Sequence, residues 1–380
     1  MGKIRVAALC AVASLAAACG GSNGTTSPVA SGAGATTSAA AGAATSAAGI
    51  ATSTPGTATG AAATSAPAAA GSKVGIVYDI GGKGDKSFND AAFAGVTKAK
   101  AQLGVDFEER SPNSAGTDRG ELLQQLAEGG DNPIIGVGFL FEDAIKKVAP
   151  KFPGTTFAII DDVVKAPNVT SLVFTEEQSS FLVGAAAALK TTTGTVGFIG
   201  GVQTPLLQKF EAGYKAGATA AKPGIKVLTK YLTQPPDFSG FAAPDKAKVA
   251  TQGFLDQGAD VVYAAAGGSG NGTFAAITAA NKAGKKDFAI GVDRDQYLSA
   301  APADQPYILT SALKRIDVAV FGFISDYAGG NKAAGVKTFD LKVDGVGYAT
   351  SGGKVDDIAA KLDAYKADII SGKTVVPTKP

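Results

Sequence analysis

One series of strand-like segments occurs twice along this chain, and that duplication narrows the possible folds sharply. In the first copy, Lys73-Val-Gly-Ile-Val-Tyr-Asp79 reads as a buried strand, followed by a glycine-rich loop and a helix from Ser87 to Leu103. In the second, Gly194-Thr-Val-Gly-Phe-Ile-Gly200 is followed by a helix from Pro205 to Ala221. Gly104-Val-Asp-Phe-Glu108 then matches Gly224-Ile-Lys-Val-Leu228, and Asn132-Pro-Ile-Ile-Gly-Val-Gly138 matches Ala259-Asp-Val-Val-Tyr-Ala264. Thr156-Phe-Ala-Ile-Ile-Asp161 matches Asp287-Phe-Ala-Ile-Gly-Val-Asp293, each strand closing on an aspartate. Short apolar runs alternating with longer alanine-rich stretches are the mark of a parallel sheet wrapped by helices. Two copies imply two α/β lobes.

Ligands of doubly wound sheets bind beyond the carboxyl ends of the strands. Two facing lobes therefore predict a cleft lined by Asp79 to Asn89, Gly138 to Asp143, Asp161-Asp162, Gly200 to Pro205, Gly267 to Gly272 and Asp293 to Gln296. Asp161 and Asp293 are expected to oppose each other across it.

Composition limits the chemistry such a cleft can perform. The chain has no His, which removes His-dependent triads, proton shuttles and His-ligated metals. Its two cysteines, Cys10 and Cys19, fall within the first 19 residues, leaving the remainder without a thiolate nucleophile or a Cys-ligated zinc. With Lys3 and Arg5 set aside, 33 basic side chains balance 33 acidic ones from Lys73 onward. Nucleic-acid binding needs a basic surplus to displace phosphate counterions, so that class is excluded.

Lys3 and Arg5 precede an apolar stretch from Val6 to Ala18, 13 residues long. As a helix it would rise about 20 Å, short of a bilayer core of roughly 30 Å. Residues 1–18 are therefore read as a signal peptide. Ala16-Ala-Ala18 before Cys19 resembles the bacterial lipobox, in which the cysteine takes a diacylglycerol; plain cleavage near Ala18 is the alternative. Residues 19–72 hold the candidate lipidated Cys19 and a tract almost entirely of Ala, Gly, Ser, Thr and Pro. Lacking charge and aromatics, the tract is expected to stay disordered as a spacer. All 19 Phe and 9 Tyr lie beyond it.

Within the cleft segments, Asp79-Ile-Gly-Gly-Lys-Gly-Asp-Lys-Ser-Phe-Asn89 lacks the Gly-Lys-Ser/Thr ending of a phosphate-binding loop, and Ser87 is a candidate helix N-cap. Phe88 reads either as core or as a ring offered to a planar ligand. Gly267-Gly-Ser-Gly-Asn-Gly272 does not have dinucleotide-fingerprint spacing. It suits either close backbone approach to a neutral polar ligand or a simple turn. Asp293 and Lys314 would make an acceptor and donor pair for a sugar diol, or a buried structural ion pair.

Several of these motifs, in order from Lys73 to Val346, resemble the basic membrane protein (PnrA-like) family of purine-nucleoside-binding lipoproteins of ABC transporters. They are Asp79-x-Gly-Gly-x-x-Asp-x-Ser-Phe-Asn89, Gly136-Val-Gly-Phe139 with Asp143-Ala144, and Phe157-Ala-x-Ile-Asp161. Phe174-x-Glu-Glu-Gln178 with Phe181-Leu-x-Gly184, Gly291-Val-Asp-x-Asp-Gln296, and Ser311-Ala-Leu-Lys314 with Asp317 complete the set. The resemblance implies a type I periplasmic-binding-protein fold, two doubly wound parallel-sheet lobes joined by three crossovers and closing on a nucleoside. It implies that Phe88 and Phe241 sandwich the base, with Phe238 as the alternative second ring. By the same resemblance Asn89 and Asp161 bond the base, Asp293, Lys314, Gly267 and Gly268 hold the ribose, and Asp79 is a further cleft contact.

The expected organisation is residues 73–175 with 314–342 as lobe 1, and 176–313 with 343–380 as lobe 2. The expected function is capture of inosine, guanosine or adenosine by a monomer needing no metal or cofactor. A lipid anchor would hold it on the outer face of a bacterial cell membrane, where it delivers ligand to an ABC permease with its ATPase. The competing readings are a receptor for a sugar or another small metabolite, a carboxylate-dependent nucleosidase, and a surface antigen with a vestigial cleft.

Overall fold

The computed structural model describes residues 73–380, which lie within one compact unit. The expected signal peptide, Cys19 and the spacer lie outside the described residues. In chain order the first strands are β1 (Lys73–Val77), β2 (Asp106–Arg110), β3 (Ile134–Gly136), β4 (Phe157–Ile160) and β5 (Val169–Phe174). They are followed by β6 (Thr195–Val202), β7 (Lys226–Thr233), β8 (Val261–Ala265), β9 (Phe288–Asp293), β10 (Ile308–Lys314), β11 (Gly335–Phe339) and β12 (Val346–Tyr348). The four paired segments legible in the sequence are β1 to β4, matched in order to β6 to β9.

Two six-stranded sheets result, in the orders β11-β5-β4-β3-β1-β2 and β12-β10-β9-β8-β6-β7. Every pairing is parallel except β10 with β12. The fold is the type I periplasmic-binding-protein architecture. The chain passes between sheets three times: after β5, after β10 and after β11.

Helices cover both faces of each sheet, which is why the central strands are apolar throughout rather than alternating. In the first lobe α1 (Phe88–Leu103) lies on one face and α2 (Arg119–Glu128) with α3 (Glu142–Val148) on the other. In the second, α4 (Glu176–Lys190) and α5 (Pro205–Ala221) cover one face, and α6 (Pro244–Asp256) with α7 (Gly270–Lys282) the other. After β10, α8 (Ile316–Ala328) returns to pack on α1. The crossover helices are thus exchanged: α4 leaves the first sheet to pack on α5, and α8 leaves the second to pack on α1.

Glycines bring α4 and α5 into backbone contact. A Cβ on Gly217 would lie 1.9 Å from the Phe181 carbonyl oxygen, and one on Gly213 would lie 2.1 Å from that of Glu177. No larger residue fits that spacing without separating the helices.

The C-terminal segment departs from the expected assignment of residues 343–380 to the second lobe. Val355 and Ile358 before α9 (Ala359–Ile370) and Leu362 within it join the second lobe's core, whereas Ile369 and, beyond the helix, Val376 join the first lobe's. The segment straddles both cores because its apolar side chains divide along its length.

Candidate functional site

The strand ends meet at a cavity between the lobes containing about 580 Å³ of empty space, part of it open to solvent. Asp79, Phe88, Asn89 and Asp161 line it from the first lobe, and Phe241, Gly267, Gly268 and Asp293 from the second. Lys314, the last residue of β10, lies where the chain crosses between them. All nine residues singled out in the sequence surround one space.

Asp161 and Asp293 end equivalent strands and share a conformation rare for non-glycine residues, with φ of 70° and 64°. Left-handed aspartates at two matched strand ends are strain retained at a site, turning both carboxylates into the cleft. Burial lifts the Asp161 carboxyl to about 7, against the pull of Lys314 and with a further push from Glu176. Burial also lifts Asp293, to about 6, while Lys314 and the Ser87 hydroxyl draw it down.

Lys314 is 2 % exposed, and its ammonium donates to Asp161 Oδ2 at 2.6 Å. The Glu176 carboxylate stands 3.1 Å away. Burial lowers the lysine's proton affinity, but Asp161, Glu176 and Asp293 together outweigh it and hold the group above the usual lysine range. The rings of Phe174, Phe88 and Phe210 surround the ammonium with centroids at 5.0, 5.4 and 5.7 Å. The expected Asp293–Lys314 pairing is therefore replaced: Lys314 bonds Asp161, and Asp293 accepts a 2.5 Å hydrogen bond from Ser87 Oγ across the cleft.

That bond also corrects the reading of Ser87 as a helix cap. Asp85 caps α1 instead, its carboxylate accepting from the backbone N–H of Ser87, Asn89 and Asp90 at 2.9, 2.8 and 3.1 Å. The same carboxylate takes the Asn89 side-chain amide at 3.0 Å. Asn89 Oδ1 meanwhile accepts from the Asp79 N–H at 2.9 Å, and its amide nitrogen also donates to the Ile80 carbonyl. Asn89 thus lines the cavity with most of its hydrogen-bonding capacity already engaged. Asp79 is held by Arg119, whose guanidinium donates at 3.0 Å. Burial raises the Asp79 carboxyl despite that partner.

Phe241 seats over Gly201, where a Cβ would come within 2.6 Å of its ring. Phe238 lines an adjoining opening rather than the cavity itself. Both rings meet Phe139 edge-on, at 6.4 and 6.0 Å.

Sequence reasoning did not single out Ile80, Asp85, Phe139, Leu206, Leu207, Phe210, Ala265 or Val292, which complete the wall. Phe139 and Asp85 fall inside strand-end segments that the topology marks. Leu206, Leu207 and Phe210 follow from helical spacing, since Pro205 opens α5 and the Thr204 hydroxyl accepts from the Leu207 N–H at 3.3 Å. Among the described residues, no group of three or more His, Cys, Asp or Glu could hold a metal ion. Apolar and aromatic surface from both lobes, with carboxylate acceptors and one ammonium donor, suits a flat, uncharged, polar ligand.

A two-lobed fold closing on such a cavity defines the solute-binding class. A solved solute-binding protein of an ABC transporter system from Aeropyrum pernix K1 is similar, with a TM-score of 0.71 and 29% identity over 80% of this chain and 94% of that one. Residues 72–379 match the model of the ABC transporter substrate-binding protein PnrA-like family (Bmp), and the chain belongs to that family. It is 35% identical to the CD4+ T-cell-stimulating antigen of Listeria monocytogenes over 324 residues, covering 81% of this chain and 88% of that protein. It is 34% identical to the ABC transporter nucleoside-binding protein BmpA of Lactococcus lactis over 323 residues, covering 81% and 89%. The family is one of substrate-binding proteins rather than enzymes. Among the described residues no helix is long and apolar enough to cross a membrane.

Proposed function

We propose that this protein captures purine nucleosides in the interlobe cavity and delivers them to an ABC permease. The observation that carries the reading is that Phe88 from one lobe and Phe241 from the other line one cavity with Asp161, Asp293 and Lys314. Aromatic faces hold a base with about 1–3 kcal/mol each and tolerate different purines. Carboxylates and an ammonium discriminate by hydrogen bonding, because a buried group left without its partner is costly. In this reading Asp161 meets the base edge, and Asp293, Lys314 and the backbone at Gly267 and Gly268 meet the ribose. Asp79 and Asn89 shape the wall. The nucleoside-binding name of the Lactococcus lactis relative supports the ligand class.

The reading extends to location. Cleavage before Cys19 and lipidation of that residue tether the folded part, as a monomer, to the outer face of the membrane beside its permease and ATPase. A Cys19→Ser variant is expected to lose metabolic lipid labelling and to leave the membrane fraction.

The ligand is tested by calorimetric titration with inosine, guanosine and adenosine after unfolding and refolding to strip carried ligand, with ribose and hypoxanthine as controls. Micromolar or tighter binding of a nucleoside with weak controls is expected. Neither heat nor thermal shift with any nucleoside overturns the ligand assignment.

A further inference from the structure

No residue of the Phe174-x-Glu-Glu-Gln178 motif lines the cavity itself, but Phe174 and Glu176 flank the Lys314 ammonium, and the motif touches all three crossovers. It forms the first one, where β5 gives way to α4. Its Phe174 ring stacks on Phe339 at 5.1 Å, and the Thr175 N–H donates to the Phe339 carbonyl at 3.2 Å, where the third crossover begins. Gln178 Oε1 accepts from the Leu341 N–H at 3.0 Å in that same crossover. Glu176, 1 % exposed, faces Lys314 at the start of the second. By the pseudo-symmetry of the lobes Lys314, ending β10, matches Phe174, ending β5, and Glu176 stands two residues beyond Phe174 at the start of α4.

We propose that Glu176 is a positioning residue for Lys314, holding its ammonium between the cleft carboxylates and tying ligand capture to the hinge. The contact is an ion pair at 3.1 Å without hydrogen-bond alignment, so it steers the lysine by charge while Asp161 accepts the ammonium's hydrogen bond at 2.6 Å. Lys209 on α5 balances the far oxygen of Glu176 at 3.3 Å. The groups facing Lys314 are therefore Asp161 after β4, Glu176 on α4 and Asp293 on β9, with Lys209 behind Glu176 and Asp85 near Asp293. Removing the charge of Glu176 frees Lys314 to serve Asp161 and Asp293 alone, which favours their ionised forms.

The inference rests on the nucleoside reading for its affinity arm, and its titration arm is independent of ligand. Carboxyl-labelled aspartate and Cε-labelled lysine are followed by NMR against pH in the unliganded chain, for the parent, Glu176→Gln and Glu177→Gln. Glu177 is buried in the same helical turn without a described lysine contact, and serves as the control. Glu176→Gln is expected to move the Asp161 midpoint down by about one pH unit or more and to shift the Lys314 signal. It is also expected to weaken nucleoside binding about tenfold. Glu177→Gln leaves both readouts near the parent's.

An unchanged Asp161 midpoint in Glu176→Gln overturns the proposal, as does a shifted midpoint with unchanged affinity. If the parent binds no nucleoside, the ligand reading falls while the titration still decides the role of Glu176. Should Glu176→Gln fail to fold, Lys209→Gln carries the test. Loss of the second cation raises the Asp161 midpoint if Glu176 links the two lysines, and an unmoved midpoint refutes the link.

Discussion

Replacing Lys314 with Met keeps the length of the side chain and removes the one cation that Asp161, Glu176 and Asp293 share. Removing one partner of a buried charge cluster typically costs about 3–5 kcal/mol, because the remaining charges are stranded away from water. All the groups concerned are almost wholly buried, so solvent screening offers little relief. The cost depends on pH, and its sign follows from the protonation states. In the parent, burial has already lifted Asp161 to about 7 and Asp293 to about 6, and Lys314 lowers both. Without Lys314 both rise further. A carboxyl with a raised folded-state value destabilises the fold as pH climbs through that value, since the unfolded chain ionises first. Between the parent's values and the variant's higher ones, the variant alone retains the proton. There its deficit should grow by up to about 1.4 kcal/mol per pH unit for each carboxyl. Below about pH 6 both proteins carry protonated carboxyls and the deficit should flatten toward a minimum. Urea unfolding of parent and variant from pH 5 to pH 9 measures this directly. A deficit that does not change with pH, or one below about 1 kcal/mol at pH 8, would refute the assignment of a shared buried cation.

Three further outcomes follow from the same structure. Phe88→Ala should weaken nucleoside binding by about 1–3 kcal/mol with the circular dichroism unchanged, and unaltered affinity in calorimetry would remove the ring from the ligand's face. Asp293→Ala should weaken nucleosides more than the corresponding free bases, and equal losses for both would defeat its ribose role. Gly217→Ala, forcing a Cβ into the Phe181 carbonyl, should cost about 1–3 kcal/mol in urea unfolding, whereas Gly253→Ala on α6, where nothing lies within 4 Å, should gain roughly 0.5–1 kcal/mol. Equal effects at the two glycines would contradict the close α4–α5 contact.

Sequence alone carried the duplicated strands, because buried parallel strands are continuous apolar runs and the two copies reinforce each other. It also carried the positions of the cleft loops, since strand ends follow from strand boundaries and ligands gather there. The helix from about Pro205 to Ala221 was legible, as proline at its first position is a local signal. The family motifs supplied the nine cavity residues, which lie in separate segments from Asp79 to Lys314.

What each polar group does at the cavity was decided only by the tertiary structure. Ser87 stands where a cap belongs, yet its hydroxyl bonds Asp293, 206 positions away, and Asp85 caps the helix in its place. Lys314 pairs with Asp161 from the other lobe rather than with Asp293 from its own, and Glu176 joins them from a crossover. The reason is physical. Local signals such as strand runs, caps and helical spacing act over a few residues and leave their mark in the sequence. A buried ion pair is settled by which charges the folded chain brings within about 4 Å in a medium of low polarity. That proximity exists only after two lobes and three crossovers have been assembled around them.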